Sequence, residues 1–469
     1  MFVRLFPDLG TGYLVLEWII RIGMTLVVPF RRSAGATRSW LLLVYFLPVP
    51  GALFYAAIGR PKFPQWRTER FANLSGFYQS LRETLASAGQ VDGFEESAAL
   101  VQRVGGMPKV GGNTVELIDD YDGVVDRLVA DIDAATRHVR ILVYLFANDT
   151  AGMRVIGALG RAKTRGVACH VLVDPVGSHK WLKGTRIALQ AAGVEIREAL
   201  PFRILRGRTR RDMRNHRKLF LIDGRIGYAG SQNIVAKDFR PGVTNHELVA
   251  RVTGPIVAEM TGAFLADWYL ETEVMLEDRV DLPAVSGPVT AQLLPSGADY
   301  RCEGFQTFLV WKIHRAERHV LITTPYLIPD EDLLSAMRTA VLRGVIIDLV
   351  ISAVADQKLV NMAQRSYYQE LLDSGVRIHR FRKYLLHAKN VTIDGSVAVI
   401  GSSNVDIRSF QLNEEVSLVL YGVDAVAPLW AIQQDYLYNS DLVDAARWRR
   451  RPALHKVGEN IARLVSPLL

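Results

Sequence analysis

A chain of 469 residues, 49% hydrophobic and 22% charged, has ample material for buried cores and length for two or three domains, so disorder is not its expected state. Its two cysteines, Cys169 and Cys302, form no C-x-x-C pair, which argues against both a disulfide framework and a thiolate metal site. The formal net charge of +8 and a pI near 9.4 suit an anionic partner, whether nucleic acid, anionic lipid or a phosphate-bearing substrate.

Residues 1–60 are expected to be a membrane-associated apolar region. The run 13–30 is interrupted by Glu17 and Arg21, whose i,i+4 spacing lets them pair on one helix face. A charged pair in mid-span is costly in a bilayer, so this run is expected at the interface or packed on another helix. Residues 39–58 carry no charge over about the length a hydrocarbon core demands, with Trp40 and Tyr55 placed as interfacial aromatics would be, and form the stronger expected span. Pro48, Pro50 and Gly51 would bend it, and a short re-entrant hairpin is the competing expectation. A cleaved signal peptide fits worse, because a second apolar run follows and no small-residue site ends the first. Arg31, Arg32 and Arg38 precede this run and Arg60, Lys62, Arg67 and Arg70 follow it, so the positive-inside rule leaves orientation open. Residues 61–112, polar and Gly-containing, read as a linker carrying one helix.

From Asn113 the pattern alternates strand and helix. A first lobe, 113–275, has apolar Thr114–Ile118, a helical stretch 122–137, a β-rich run 139–146, a helix 153–165 and a strand 168–174. The second, 276–469, repeats it with 289–294, a helical stretch 304–318, a strand 319–325, a helix 330–343 and a strand 346–351. Arg165-Gly166-Val167 answers to Arg343-Gly344-Val345, and Ala192-Gly193-Val194 to Ser374-Gly375-Val376. The expectation is an α/β fold of two similar tandem lobes, sheets flanked by helices.

Each lobe then carries one short string, His216-Arg-Lys218 with Asp223 and His387-Ala-Lys389 with Asp394, both HxKxxxxD. After each Asp come six residues and a closing phrase, Gly230-Ser231-Gln-Asn233 and Gly401-Ser402-Ser-Asn404. One such string arises by chance in about a few per cent of chains this long, whereas two with identical spacing do not. On a strand, i and i+2 project together, so each His stands beside its Lys. The pair suits a phosphate: the ammonium holds the non-bridging oxygens, while a neutral imidazole attacks phosphorus or moves a proton. Ser231, Asn233, Ser402 and Asn404 are candidates for neutral hydrogen bonds to the same oxygens. Asp223 and Asp394 each precede Gly, so alongside a catalytic place in the motif a turn role is at least as well supported, and structural support is the assignment made. Two copies make one site economical: both pairs converge on one phosphodiester, one His attacking and the other protonating the leaving alkoxide, with no metal required.

At these residues the chain resembles the phospholipase D superfamily and, within it, the bacterial cardiolipin synthases. The likeness is carried by Arg214-Asn-His-Arg-Lys218, Thr324-Pro-Tyr326 with Pro329-Asp330, Gly401-Ser-Ser-Asn404 with Asp406, Arg408 and Ser409, Leu412-Asn413-Glu-Glu415, and the closing Ala462–Leu469. The resemblance implies a metal-independent phosphatidyltransferase that uses no cofactor. One phosphatidylglycerol gives up glycerol and a second accepts the phosphatidyl group through a covalent phosphatidyl-histidine, His216 attacking and His387 serving as acid and then base. It also implies that Glu247 and Glu415 each orient the histidine of the opposite lobe, with Glu414 competing for the second position. It places the enzyme in the bacterial inner membrane with its lobes facing the cytoplasm, and it leaves oligomeric state open.

Arginines 203, 206, 208, 210, 211, 214 and 217 crowd the approach to the first motif. They are expected either to lie on an anionic bilayer or to be a solvated basic loop, as are Arg447, Arg449, Arg450 and Arg451 around Trp448. Rival functions are a hydrolytic phospholipase D, transfer to another acceptor, and a nuclease; a nuclease would predict aromatic stacking residues interleaved with the basic stretch, and Arg203–Arg217 contains none, so no nucleic-acid partner is expected. His170 and His246 are expected to be ordinary packing or surface histidines.

Overall fold

The computed structural model describes residues 5–32, 34–59, 63–88, 91–201, 212–300 and 302–465. Two half-sheets join where Val110–Ile118 pairs antiparallel with Val289–Ser296, making one sheet of 15 strands. Outward from Val110–Ile118 run Val249–Thr253, Ile226–Gly230, Leu219–Ile222, His138–Val143, Ala168–Val173 and Glu195–Glu198. Outward from Val289–Ser296 run Glu415–Tyr421, Val397–Gly401, Asn390–Ile393, His319–Thr323, Ile346–Ser352 and Arg377–Phe381, with Ser440–Leu442 added at the edge. The order is the same in both, so the tandem lobes are halves of a continuous sheet.

The repeat extends to small devices. The expected helices occur as Thr150–Thr164 and Glu331–Leu342, capped by Asp149 and Asp330, whose carboxylates accept the amide N–H three residues on. Both end in the Arg-Gly-Val phrase: Gly166 and Gly344 take φ of 87° and 91°, and Arg165 and Arg343 donate to carbonyls at the end of the neighbouring helix, Ala135 and Ala316 among them. A glycine reaches that left-handed conformation without strain, which is why the phrase recurs at each crossover. Helix Ile256–Thr272, buried on nearly every side, and helix Val423–Tyr438 contribute to one core that runs across both halves.

At the N-terminus the helices are Leu5–Val27, Ala34–Phe46 and Pro48–Ile58. Glu17 and Arg21 pair at 3.1 Å as their spacing predicts. The expected single span 39–58 is instead broken at Leu47, because Pro48 and Pro50 cannot continue a helix and so begin a new one. The two pieces fold on each other at Gly51, where an added Cβ would lie 3.0 Å from the Val44 backbone. Trp40 and Tyr55 are buried and packed edge to face at 5.1 Å, so they hold the hairpin together and are not interfacial aromatics. Among the described residues, the helical segment long and apolar enough to cross a membrane is Gly10–Val27.

Residues 61–112, expected to link, carry three helices, Gln65–Ala72, Ser75–Ala86 and Glu95–Gly105, that dock on the catalytic body. Phe71, Leu74, Tyr78, Leu81 and Leu85 repeat at three- and four-residue spacing, and Leu74, Leu81 and Leu85 are buried. Arg67 is fully buried and pairs with Glu271 at 2.6 Å and Asp299 at 2.9 Å. Removing one partner from a buried ionic group strands the others, at a cost of about 3–5 kcal/mol. Arg67→Ala is therefore expected to lower stability by about that much in denaturant unfolding; no change would restore the linker reading.

Candidate active site

Two short backbone rungs between the lobes set the geometry. Leu385–Leu386 pairs parallel with Asn245–His246, and Asn215 bridges Glu414. The amides of His387 and His216 donate to the carbonyls of His246 and Glu414, both at 2.8 Å. In parallel pairing, the residue after each rung stands next to the residue after its partner, so each histidine meets a glutamate of the other lobe. His387 Nδ1 lies 2.8 Å from Glu247 Oε1, and His216 Nδ1 lies 3.0 Å from both oxygens of Glu415. Glu414 points away, accepting from Arg217 at 2.8 Å. With Nδ1 committed to a carboxylate, Nε2 is the nitrogen left to the cavity.

Lys218 and Lys389 lie between these pairs, each ammonium donating to the carbonyl of the histidine two residues before it, at 2.6 Å in both lobes. Burial lowers the proton affinity of His216 and takes His387 down to about 4, so both rings are neutral near pH 7 before an anion binds. Burial likewise draws Lys218 to about 7 and Lys389 to about 8. It works to raise Glu247 and Glu415, but the facing histidines and lysines outweigh it and leave both below the usual carboxylate value.

The two motif aspartates sit outside this cluster. Asp223 takes the amides of Thr136, Arg137 and His138, and Asp394 those of Glu317, Arg318 and His319, all within 2.7–3.0 Å. Each has positive φ, 54° and 53°, followed by Gly at 63° and 67°, the Asp-Gly turn that closes a tight hairpin. Their carboxylates tie each motif strand to the strand His138–Val143 or His319–Thr323.

Ser231 and Ser402, expected at the phosphate, are turned elsewhere. The Leu248 and Val416 amides donate to their hydroxyls at 3.0 Å, and Ser402 donates in turn to Glu415. A Cβ at Gly230 or Gly401 would sit 2.4 Å from the carbonyl oxygen of Leu248 or Val416, so only glycine lets the neighbouring strand approach this closely. The Gly-Ser pair thus clamps the residue that follows each glutamate. Asn233 and Asn404 do reach the cavity.

That cavity, of about 250 Å³, is lined by His216, His387, Glu247, Asn233, Asn404, Arg214, Arg240 and Arg408, with Val235, Phe239 and Val360 on its apolar side. Tyr144 and Tyr326 also line it, standing edge-on to His216 and His387 at centroid distances of 4.8 and 6.3 Å. Sequence reasoning named Tyr326 only as part of a family phrase and missed Tyr144. Laying Val143-Tyr144-Leu145 over Pro325-Tyr326-Leu327 in the repeat is the signal that finds both.

Of the arginine run, residues 203–211 lie outside the described residues. Arg214 and Arg217 are not bilayer-facing: Arg214 lies 3.5 Å from Asp174, and Arg217 is buried against Asp267 and Glu414. Trp448 is also buried, with Arg451 3.4 Å from its ring centroid, and offers no interfacial ring. His170 packs on Trp268, and His246 lies among Phe381, Tyr384 and Tyr436.

Residues 128–268 and 309–435 match the family model described as "Cardiolipin synthase, PLD-like domain", one segment in each lobe. Cardiolipin synthase A of Pectobacterium carotovorum subsp. carotovorum (strain PC1) is 32% identical, covering 98% of this chain and 100% of the relative. The chain belongs to the cardiolipin synthase family. Another relative, cardiolipin synthase A of Serratia proteamaculans (strain 568), is 33% identical over 96% of this chain and 97% of its own length. The fold is shared with a phosphatidylserine synthase of Haemophilus influenzae Rd KW20, at TM-score 0.60 and 12% identity over 80% of this chain and 100% of that one. As a cardiolipin synthase family member, the chain is a phosphatidyltransferase of the phospholipase D superfamily that acts on phospholipid.

Proposed function

We propose that the enzyme makes cardiolipin and glycerol from two molecules of phosphatidylglycerol, by attack of His216 on phosphorus with His387 as acid and base. His216 Nε2 displaces glycerol, whose oxygen takes the Nε2 proton of His387, which is in the imidazolium form that the bound phosphodiester anion stabilises, leaving phosphatidyl-His216 and neutral His387. A hydroxyl of the second phosphatidylglycerol then gives its proton to His387 and attacks phosphorus, and His216 leaves. Lys218 and Lys389 hold the non-bridging oxygens, joined by Asn233 and Asn404. The observation carrying this reading is the reciprocal pairing of each histidine with the other lobe's glutamate, which gives two neutral imidazoles with Nε2 toward one cavity. The enzyme sits in the bacterial inner membrane with its lobes on the cytoplasmic side.

The test is product analysis by mass spectrometry after incubation with phosphatidylglycerol micelles. Cardiolipin with glycerol is the expected outcome, and phosphatidic acid alone would make the enzyme a hydrolase.

The pH profile follows from the shifts. Protonation of His216 removes the nucleophile on the acid side, and loss of the Lys218 proton near pH 7 and the Lys389 proton near pH 8 weakens phosphate binding on the alkaline side. kcat/KM is therefore expected to be bell-shaped. A bound phosphodiester anion favours the protonated form of both histidines, which charges His387 as the donor and makes His216 protonate at higher pH, so the acid limb of kcat lies at higher pH than that of kcat/KM. Coincident acid limbs would count against His216 as the imidazole beside the bound phosphodiester.

A further inference from the structure

Helix Ala453–Val465 turns its apolar stripe outward. Leu454, Val457, Ile461 and Leu464, at i, i+3, i+7 and i+10, share one face and are 84%, 54%, 59% and 55% exposed. The opposite face is pinned: Ala462 and Glu459 are buried, Glu459 pairs with Arg451 at 2.7 Å and Arg365 at 3.0 Å, and Arg463 reaches Glu370 at 3.2 Å. A helix that buries an ionic pair and exposes leucine and isoleucine reverses the usual arrangement against water, which marks an interaction surface.

Its position says what that surface meets. Gly458 adjoins Met362, and Arg463 lies over Tyr367, so the helix runs parallel to Lys358–Asp373 with the two starts side by side. Exposed Leu359 and Met362 extend the stripe, while Gln357 and Val360 line the active-site cavity. Phe63, just beyond the N-terminal hairpin, packs with Leu200, Met213 and Leu412, and the chain neighbours of the last two, Arg214 and Asn413, line the cavity. Exposed Arg447, Arg449 and Arg450 precede the stripe and complement an anionic surface.

We propose that this stripe lies in the headgroup and acyl boundary of an anionic bilayer leaflet, a second membrane contact that holds the cavity mouth against lipid. The proposal rests on the reading of the substrate as bilayer phospholipid, and it explains how two-chain lipids reach a buried histidine pair without leaving the leaflet.

The test uses the full chain in vesicles of dioleoyl phosphatidylcholine, with or without dioleoyl phosphatidylglycerol. Leu454→Glu with Ile461→Glu is expected to cut cardiolipin formation from vesicle phosphatidylglycerol about tenfold, while turnover of dihexanoyl phosphatidylglycerol below its micelle concentration stays within about twofold. A nitroxide on Ile461→Cys, with Cys302→Ser to leave one reactive thiol, is expected to be relaxed by oxygen more than by a water-soluble nickel complex. Equal losses on both substrates, no loss on vesicles, or a water-exposed nitroxide would overturn the contact, as would spin coupling between labels, which would assign the face to a second copy. If the unmodified chain makes no cardiolipin from either lipid while the nitroxide still reports immersion, the membrane contact stands and the proposed reaction falls.

Discussion

In His387→Ala, a phosphatidyl donor with a nitrophenol leaving group is expected to release about one equivalent of nitrophenolate per chain and then stop. The reason lies in the division of labour between the two imidazoles. A nitrophenolate departs without a proton, so the first step needs only His216, held in its reactive tautomer by Glu415 at 3.0 Å. The second step needs a base to activate the acceptor hydroxyl, and with His387 gone the phosphatidyl group stays on His216, where intact-protein mass spectrometry reads it. Steady-state turnover is expected to fall at least about 10⁴-fold, as for other paired catalytic groups. His216→Ala has no nucleophile and shows neither burst nor adduct. The geometry is close to symmetric between the two histidines, so the experiment has real power: a burst in His216→Ala and none in His387→Ala would exchange their roles.

That symmetry also marks what the sequence could tell. The duplicated HxKxxxxD, its GSxN echo and the alternating strand and helix pattern were legible because each rests on local chemistry repeated at fixed spacing. The direction of Ser231 and Ser402 was not, because it depends on which strand pairs beside them: both hydroxyls are taken by Leu248 or Val416 in the adjacent strand. The docked helices of residues 65–105 were hidden for a different reason. They are short, 8, 12 and 11 residues, and separated by turn-forming sequence, so their polar composition masked the three-and-four spacing from Phe71 to Leu85. In the N-terminal region, counting uncharged residues found a bilayer's length between 39 and 58, but the prolines divide that length into two helices folded back on each other. Glu247 and Glu415 were reached through resemblance alone. Their partners lie 140 and 199 residues away in the chain, and no periodicity spans that distance.

Those two glutamates carry the second large effect. Glu415→Gln and Glu247→Gln keep the side-chain volume but remove the negative charge that fixes Nδ1–H and stabilises an imidazolium. Each is expected to lower kcat by about 10²–10⁴-fold. They act on different steps. Glu415 faces the nucleophile, so its glutamine variant slows the nitrophenolate burst itself, whereas Glu247→Gln leaves the burst rate near that of the unmodified enzyme and slows the turnover that follows. If both variants slowed the burst equally, the glutamates would be general supports of the interface and not partners of individual histidines. Because each glutamate is supplied by the lobe opposite its histidine, the proposed mechanism leaves neither repeat with a complete half-reaction: its nucleophile in one lobe is tuned by the other, and its acid in the second is tuned by the first. A duplicated chain in which each lobe held its own glutamate would keep partial activity when one pair was disabled. Here, loss of either carboxylate is expected to stall the whole cycle, at a step that the burst identifies.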